Sequence, residues 1–273
     1  MAVFPTILVF DSGLGGLTVQ REIVRIRPDA RMIYVADDAA FPYGAWEAAK
    51  LTAHLNDAME KLIASWRPDL VVIACNTAST LALADLRRHF PDMAFVGTVP
   101  AIKPACAASR SRLVSVLGTE VTVAREYTKA LIRDFGHGCD VTLVGSKHLA
   151  SLAEAQLRGE PPTDDAIRAE IAPCFVERNG ARTDAIVLAC THYPLLGERL
   201  DRLAAWPVKF VDPAPAIARR VVELIGPQTG EPSSQGVFVS TSGKPLPVPD
   251  ALAAAAWLPQ PGTMDGNTSS APR

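Results

Sequence analysis

The chain has 273 residues, 48% of them hydrophobic and 21% charged, with a net charge of −2. This is the composition of a globular protein long enough for two domains of ordinary size. It excludes the basic footprint of a nucleic-acid or anionic-membrane binder. No apolar stretch reaches the roughly 18 residues of a transmembrane helix. Met1 to Pro5 lacks the basic start of a signal peptide, so a cytoplasmic protein without a membrane partner is expected.

Ile7 to Phe10 reads as a first strand, running into Asp11-Ser12-Gly13-Leu14-Gly15-Gly16 and a helix from Leu17 to Arg27. The loop is neither a GxGxxG fingerprint nor a P-loop, and Asp11 would repel a phosphate, which argues against a nucleotide site. Arg31 to Ala36 is a second strand, ending at Asp37-Asp38, and Phe41 to Gly44 is a turn. Leu51, Leu55, Met59, Leu62 and Ile63 stand at helical spacing and predict a helix over 46–65. A strand ending in Cys75 follows, then a helix to His89 that Thr77 or Ser79 is expected to cap. Phe95-Val96 is a fourth strand, and Gly97 to Pro100 reads as a crossing point.

The pattern then restarts. Arg112 to Leu117 is a strand, and Thr122 to Glu126 echoes Thr18 to Glu22. Val141 to Val144 is a strand, and 149–157 and 163–178 read as helices. Asp69 to Thr77 returns as Asp184 to His192, so that Cys75 and Cys190 lie 115 residues apart. Phe95-Val96 with Pro100-Ala101-Ile102 returns at the same offset as Phe210-Val211 with Pro215-Ala216-Ile217. Such self-similarity marks duplicated supersecondary units. The strand-helix alternation makes them two similar doubly wound α/β domains with parallel sheets. The expected division is 1–98 with 208–258, the strand at 208–211 returning to the first domain, and 99–207 as the second. Val237 to Ser240 reads as an edge strand, and 259–273 as a disordered tail.

In open α/β sheets ligands bind beyond the carboxyl ends of strands, which puts Cys75 and Cys190 at a shared cleft. Helix N-termini after both cysteines are expected to lower the thiol pKa. Two thiols facing one carbon suit racemisation, one removing a proton from one face and the other returning one to the opposite face. Ser12, Asn76, Thr77, Thr119, Thr122 and Thr191 supply neutral donors, and His192 can exchange protons with Cys190. Asp11 and Asp37 end the first two strands and are expected to point into the cleft, while His54, His89, His137 and His148 read as surface residues. Cys106, Cys139 and Cys174 read as small buried hydrophobes. Cys75, Cys190 and His192 lack a fourth ligand, so no metal is expected. A redox protein cycling a Cys75–Cys190 disulfide and a two-domain binding module are the rival classes, the second disfavoured by the paired thiols.

Asp11-Ser12-Gly13, Pro42-Tyr43-Gly44, Ala74 to Ala78 and Cys190-Thr191-His192-Tyr193-Pro194-Leu195-Leu196 resemble the signature motifs of the glutamate racemases, within the aspartate/glutamate racemase superfamily. The likeness covers roughly residues 5–225, in the family's order. It implies a cofactor-independent enzyme that interconverts L- and D-glutamate for peptidoglycan, commonly as a homodimer. It places Cys75 on D-glutamate and Cys190 on L-glutamate, with Asp11, Asp37, Glu154 and His192 as acid–base helpers. It places substrate contacts at Asp11, Ser12, Tyr43, Gly44, Asn76, Thr77, Thr191 and His192. Related members act on aspartate, a hydantoin or maleate, and these substrates remain the alternative. The chain departs from the family pattern at Ala40, Val121 and Ser146-Lys147-His148.

Overall fold

The computed structural model describes residues 4–232 and 236–256; the expected tail at 259–273 lies outside them. The first half forms β1 (Thr6–Asp11), α1 (Leu17–Ile26), β2 (Arg31–Ala36), α2 (Ala48–Trp66), β3 (Leu70–Ile73), α3 (Asn76–His89), β4 (Phe95–Gly97) and α4 (Ile102–Ala108). Then come β5 (Leu113–Thr119), α5 (Glu120–Ala124), α6 (Glu126–Phe135), β6 (Asp140–Ser146), α7 (Leu149–Leu157) and α8 (Asp164–Ile171). A small hairpin, β7 (Glu177–Arg178) with β8 (Ala181–Arg182), precedes β9 (Ala185–Ala189), α9 (Gly197–Leu203), β10 (Lys209–Val211), α10 (Ala214–Ile225), β11 (Gly236–Ser240) and α11 (Asp250–Ala255). The helix expected over 163–178 stops at Ile171, where Pro173 withholds an N–H and the chain turns into a short 3-10 segment.

The main strands form two parallel sheets, in the orders β11-β2-β1-β3-β4 and β10-β9-β5-β6. The central strands β1, β3 and β9 are apolar runs buried on both faces, as helix-covered parallel sheets require. Leu8, Phe10, Val71 and Ile73 face Leu51, Leu55 and Met59 of α2 and Ala78 and Ala82 of α3. The opposite residues Ile7, Val9 and Val72 pack with α1 and with Ile217, Ala218 and Val221 of α10.

The duplication extends to the register. β3 pairs with β4 through Val71↔Phe95 and Val72↔Val96, and β9 pairs with β10 through Ile186↔Phe210 and Val187↔Val211. Each pair maps onto the other by the same shift of 115 residues. The boundary expected at 207/208 is therefore corrected. β10 is the counterpart of β4 and stays in the second sheet, while α10 returns to the first sheet against α1. The chain crosses between the sheets twice, after β4 and after β10. Within each sheet the strands run parallel, so their carboxyl ends share one edge, the place where a doubly wound fold binds ligands.

Candidate active site

Cys75 follows β3 and occupies the cap position of α3, which begins at Asn76 without a side-chain cap. Cys190 follows β9, but the chain then makes a 3-10 turn over Tyr193–Leu196 before α9. The helix N-terminus expected behind both thiols thus stands behind Cys75 alone. Both thiols line one pocket between the sheets. The first sheet supplies Ser12, Phe41, Pro42, Tyr43, Gly44, Asn76 and Thr77 to its wall, and the second supplies Thr119, Ala150, Thr191 and His192. The pocket volume is about 30 Å³, room for one or two water molecules. Cys75 and Cys190 are both buried, and all five cysteines are free thiols.

The surroundings of the thiols differ. Burial pushes the Cys75 thiol up to about 12, aided by the negative charge of Asp11. The expectation of a helix-lowered thiol is overturned here, because desolvation outweighs the partial charge of the helix end. Near Cys190, His192 places Nδ1 3.9 Å from Sγ and Nε2 2.7 Å from Glu154 Oε1. Burial alone would lower the imidazole pKa, but hydrogen bonds to Cys190 and Glu154 raise it well above its ordinary value. Burial likewise opposes ionisation of Glu154, and the bonded His192 holds the carboxyl below its usual range. Both shifts favour an imidazolium paired with a carboxylate.

Several expected residues stand behind the pocket rather than on its wall. Asp11 accepts hydrogen bonds from Thr191 Oγ1 at 3.0 Å and from the Gly13 N–H at 3.0 Å, and full burial raises its carboxyl. Glu154 accepts from the Leu14 N–H at 2.8 Å as well as binding His192. Thr122 shares hydroxyl contacts with Thr77 and Thr119, at 3.3 and 2.8 Å, joining α3 to the second domain. Asp37 is buried and spends both oxygens: Oδ2 on Tyr43 at 2.5 Å and His54 at 2.6 Å, Oδ1 on Thr241 at 2.8 Å. The expectation that Asp37 points into the cleft is thereby corrected. His54, read from sequence as a surface residue, is only about one-third exposed and closes this network. Phe41 is a further wall residue, its ring centroid 5.5 Å from that of His192. Its place inside the Phe41-Pro42-Tyr43-Gly44 turn was the available signal.

The glycine loop after β1 allows the two domains to touch. A Cβ on Gly13 would stand 2.5 Å from Glu154 Oε1, and one on Gly15 2.6 Å from His192 Nδ1. These glycines serve close approach, not phosphate binding. Asn76 is the complementary feature. Its side-chain amide is buried at the pocket wall with neither nitrogen nor oxygen partnered, a donor and an acceptor held ready for a ligand. Among the described residues no group of His, Cys, Asp and Glu is placed to hold a metal ion, and no helix is long and apolar enough to cross a membrane.

Residues 19–221 match the family model described as Asp/Glu/hydantoin racemase. The chain is 55% identical over 245 residues to the glutamate racemase of Agrobacterium fabrum, covering 89% of this chain and 90% of that one. It is 56% identical over 241 residues to the glutamate racemase of Sinorhizobium medicae, covering 88% and 89%. The crystal structure of Escherichia coli glutamate racemase, in complex with L-glutamate and the activator UDP-MurNAc-Ala, superposes with a TM-score of 0.80 at 37% identity, covering 93% of each chain.

Proposed function

This chain belongs to the Asp/Glu/hydantoin racemase family, and on that premise we propose that it is a glutamate racemase working by proton transfer between two thiols. The observation that carries the reading is that Cys75 and Cys190 reach one pocket from the ends of two duplicated sheets. From D-glutamate, Cys75 as thiolate removes the α-proton and Cys190 as thiol delivers one to the opposite face. From L-glutamate the roles reverse. Each turnover conserves charge and leaves the two thiols with exchanged protonation; before the next turnover from D-glutamate, Cys75 loses its proton to water and Cys190 takes one up. Burial keeps resting Cys75 a thiol, and the substrate ammonium is the cation that favours its thiolate. His192, held as imidazolium by Glu154, is placed to donate a hydrogen bond to sulfur on the Cys190 side.

Ser12, Asn76, Thr77, Thr119, Thr191 and the Tyr43-Gly44 turn hold the substrate, with the unpartnered Asn76 amide offering its carboxylate a donor. Asp11 orients Thr191. No organic cofactor or metal enters this scheme. The product D-glutamate serves peptidoglycan synthesis in the cytoplasm, and the enzyme acts as a homodimer. The supporting comparison is with relatives named for glutamate rather than for aspartate, a hydantoin or maleate. The test is polarimetry and ²H incorporation in D₂O, with L-glutamate, D-glutamate and L-aspartate and a chelator control. Loss of rotation with glutamate alone, untouched by chelator, is the expected result. No rotation change and no α-deuteration from either glutamate enantiomer would end the reading.

A further inference from the structure

The wall formed by Tyr43 and Gly44 is braced from outside the pocket. Tyr43 lines the pocket, and its hydroxyl donates to Asp37 Oδ2 at 2.5 Å. The same oxygen meets His54 Nε2 at 2.6 Å, and Oδ1 accepts from Thr241 at 2.8 Å. A carboxylate so engaged has three of its roughly four acceptor positions occupied, and Asp37 is absent from the pocket wall. His54 comes from α2, on the side of the helix next to Leu51 and Leu55, and its ring is held by aromatic neighbours. Trp46 lies tilted against it at 5.2 Å and Tyr43 edge-on at 6.4 Å. Trp46 in turn donates to the Ala40 carbonyl at 2.9 Å, tying down the other end of the same turn.

We propose that His54 is a positioning residue for the racemase: acting through Asp37, it holds the Tyr43-Gly44 wall at the distance that glutamate requires. The inference rests on the racemase reading above and adds a residue outside the pocket to it. Two donors share Asp37 Oδ2. With one gone, the carboxylate is free to rotate toward the remaining donors and carry the Tyr43 ring with it. The groups that hold the α-proton are untouched, so the effect falls on substrate binding. A misplacement of this kind costs up to about 10²-fold when it reaches the reacting atoms, and less at a wall that only grips.

The experiment measures kcat and KM in both directions for the wild type, His54→Leu, His54→Gln and His54→Asn, with Tm for each. Gln places an amide nitrogen where Nε2 stood and can still donate to Asp37; Asn stops short. The expected result for Leu and Asn is a KM for both enantiomers raised about tenfold, with kcat within about threefold. Gln returns KM to near the wild-type value. Asn also stands in for Leu should the apolar side chain disturb folding. A double-mutant cycle of His54→Leu with Tyr43→Phe is expected to be non-additive, since both act on one carboxylate. Unchanged KM in Leu and Asn, a Gln variant as impaired as Leu, or additive effects in the cycle would overturn the proposal. A wild type that racemises neither enantiomer of glutamate would instead overturn the racemase reading, whatever the variants do.

Discussion

Beyond Cys75 the chain enters α3 at once; beyond Cys190 it makes a 3-10 turn and brings His192 back to within 3.9 Å of the sulfur. Up to the cysteines the two copies agree in strand order and register. The duplicated unit therefore preserved what fixes the position of a thiol and diverged in what surrounds it. On the Cys75 side the polar groups of the wall are neutral, chiefly Ser12, Asn76 and Thr77, and burial, seconded by the Asp11 charge behind them, governs protonation. On the Cys190 side a buried ion pair stands next to the thiol. Equal placement with unequal chemistry suits an enzyme whose two half-reactions are mirror images at carbon but meet different walls.

The most severe way to break the comparison is to remove either sulfur. Cys75→Ser and Cys190→Ser are each expected to lower racemisation by about 10⁴-fold, the upper range for a positioned proton-transfer group. They should differ in exchange: Cys75→Ser still deuterates L-glutamate, and Cys190→Ser still deuterates D-glutamate, read by NMR in D₂O. The same pattern in both would show that the sides are not assigned as described. His192→Asn is expected to lower kcat from L-glutamate by about 10²-fold and kcat from D-glutamate by less, in steady-state runs from each enantiomer.

Gly15→Ala would place a methyl 2.6 Å from His192 Nδ1. It should cost about 1–3 kcal/mol of stability and impair the Cys190 side first, checked by denaturant melts alongside the exchange assay. Glu154→Gln removes a partner that raises the His192 pKa. A raised imidazole contributes stability that is complete below its unfolded pKa and is lost as pH rises through the folded value. The variant should therefore lose its His192-dependent kcat at lower pH than the wild type, and its stability deficit should shrink at high pH. A pH–kcat profile whose alkaline limb stays in place would separate Glu154 from His192. The smallest effect is expected for Thr122→Val, which touches no pocket surface: about 1 kcal/mol in stability and little change in kcat.

Much of the architecture was legible because parallel strands buried on both faces leave unbroken apolar runs, and because the 115-residue echo is carried by whole motifs. The strand at 208–211 stays in the second sheet because Phe210 repeats Phe95 and pairs as Phe95 does. The helical pattern over 163–178 is cut short by Pro173, which withholds an N–H. Ser12, Asn76, Thr77, Thr119, Thr191 and His192 of the pocket wall were legible as polar runs after strands, whereas Phe41 and Ala150 carry no such signal. The groups behind the wall were not, because Asp37 and Glu154 are placed by partners far away in sequence, His54 and Thr241 for one, Leu14 and His192 for the other. Residues at strand ends were expected to face the cleft, yet the chain turns at Asp11 and its carboxylate binds its own loop. His54 looked like a surface residue because it borders the apolar stripe of α2 without belonging to it.

The space between the thiols has room for one or two water molecules, and its walls come from two sheets linked by the chain crossings after β4 and β10 and by hydrogen bonds such as Leu14–Glu154 and Thr191–Asp11. A glutamate is larger than this space, so on the proposed mechanism its entry parts the walls and, with them, the two sulfurs. Turnover is then expected to slow as solvent viscosity rises, because loading and release share that motion.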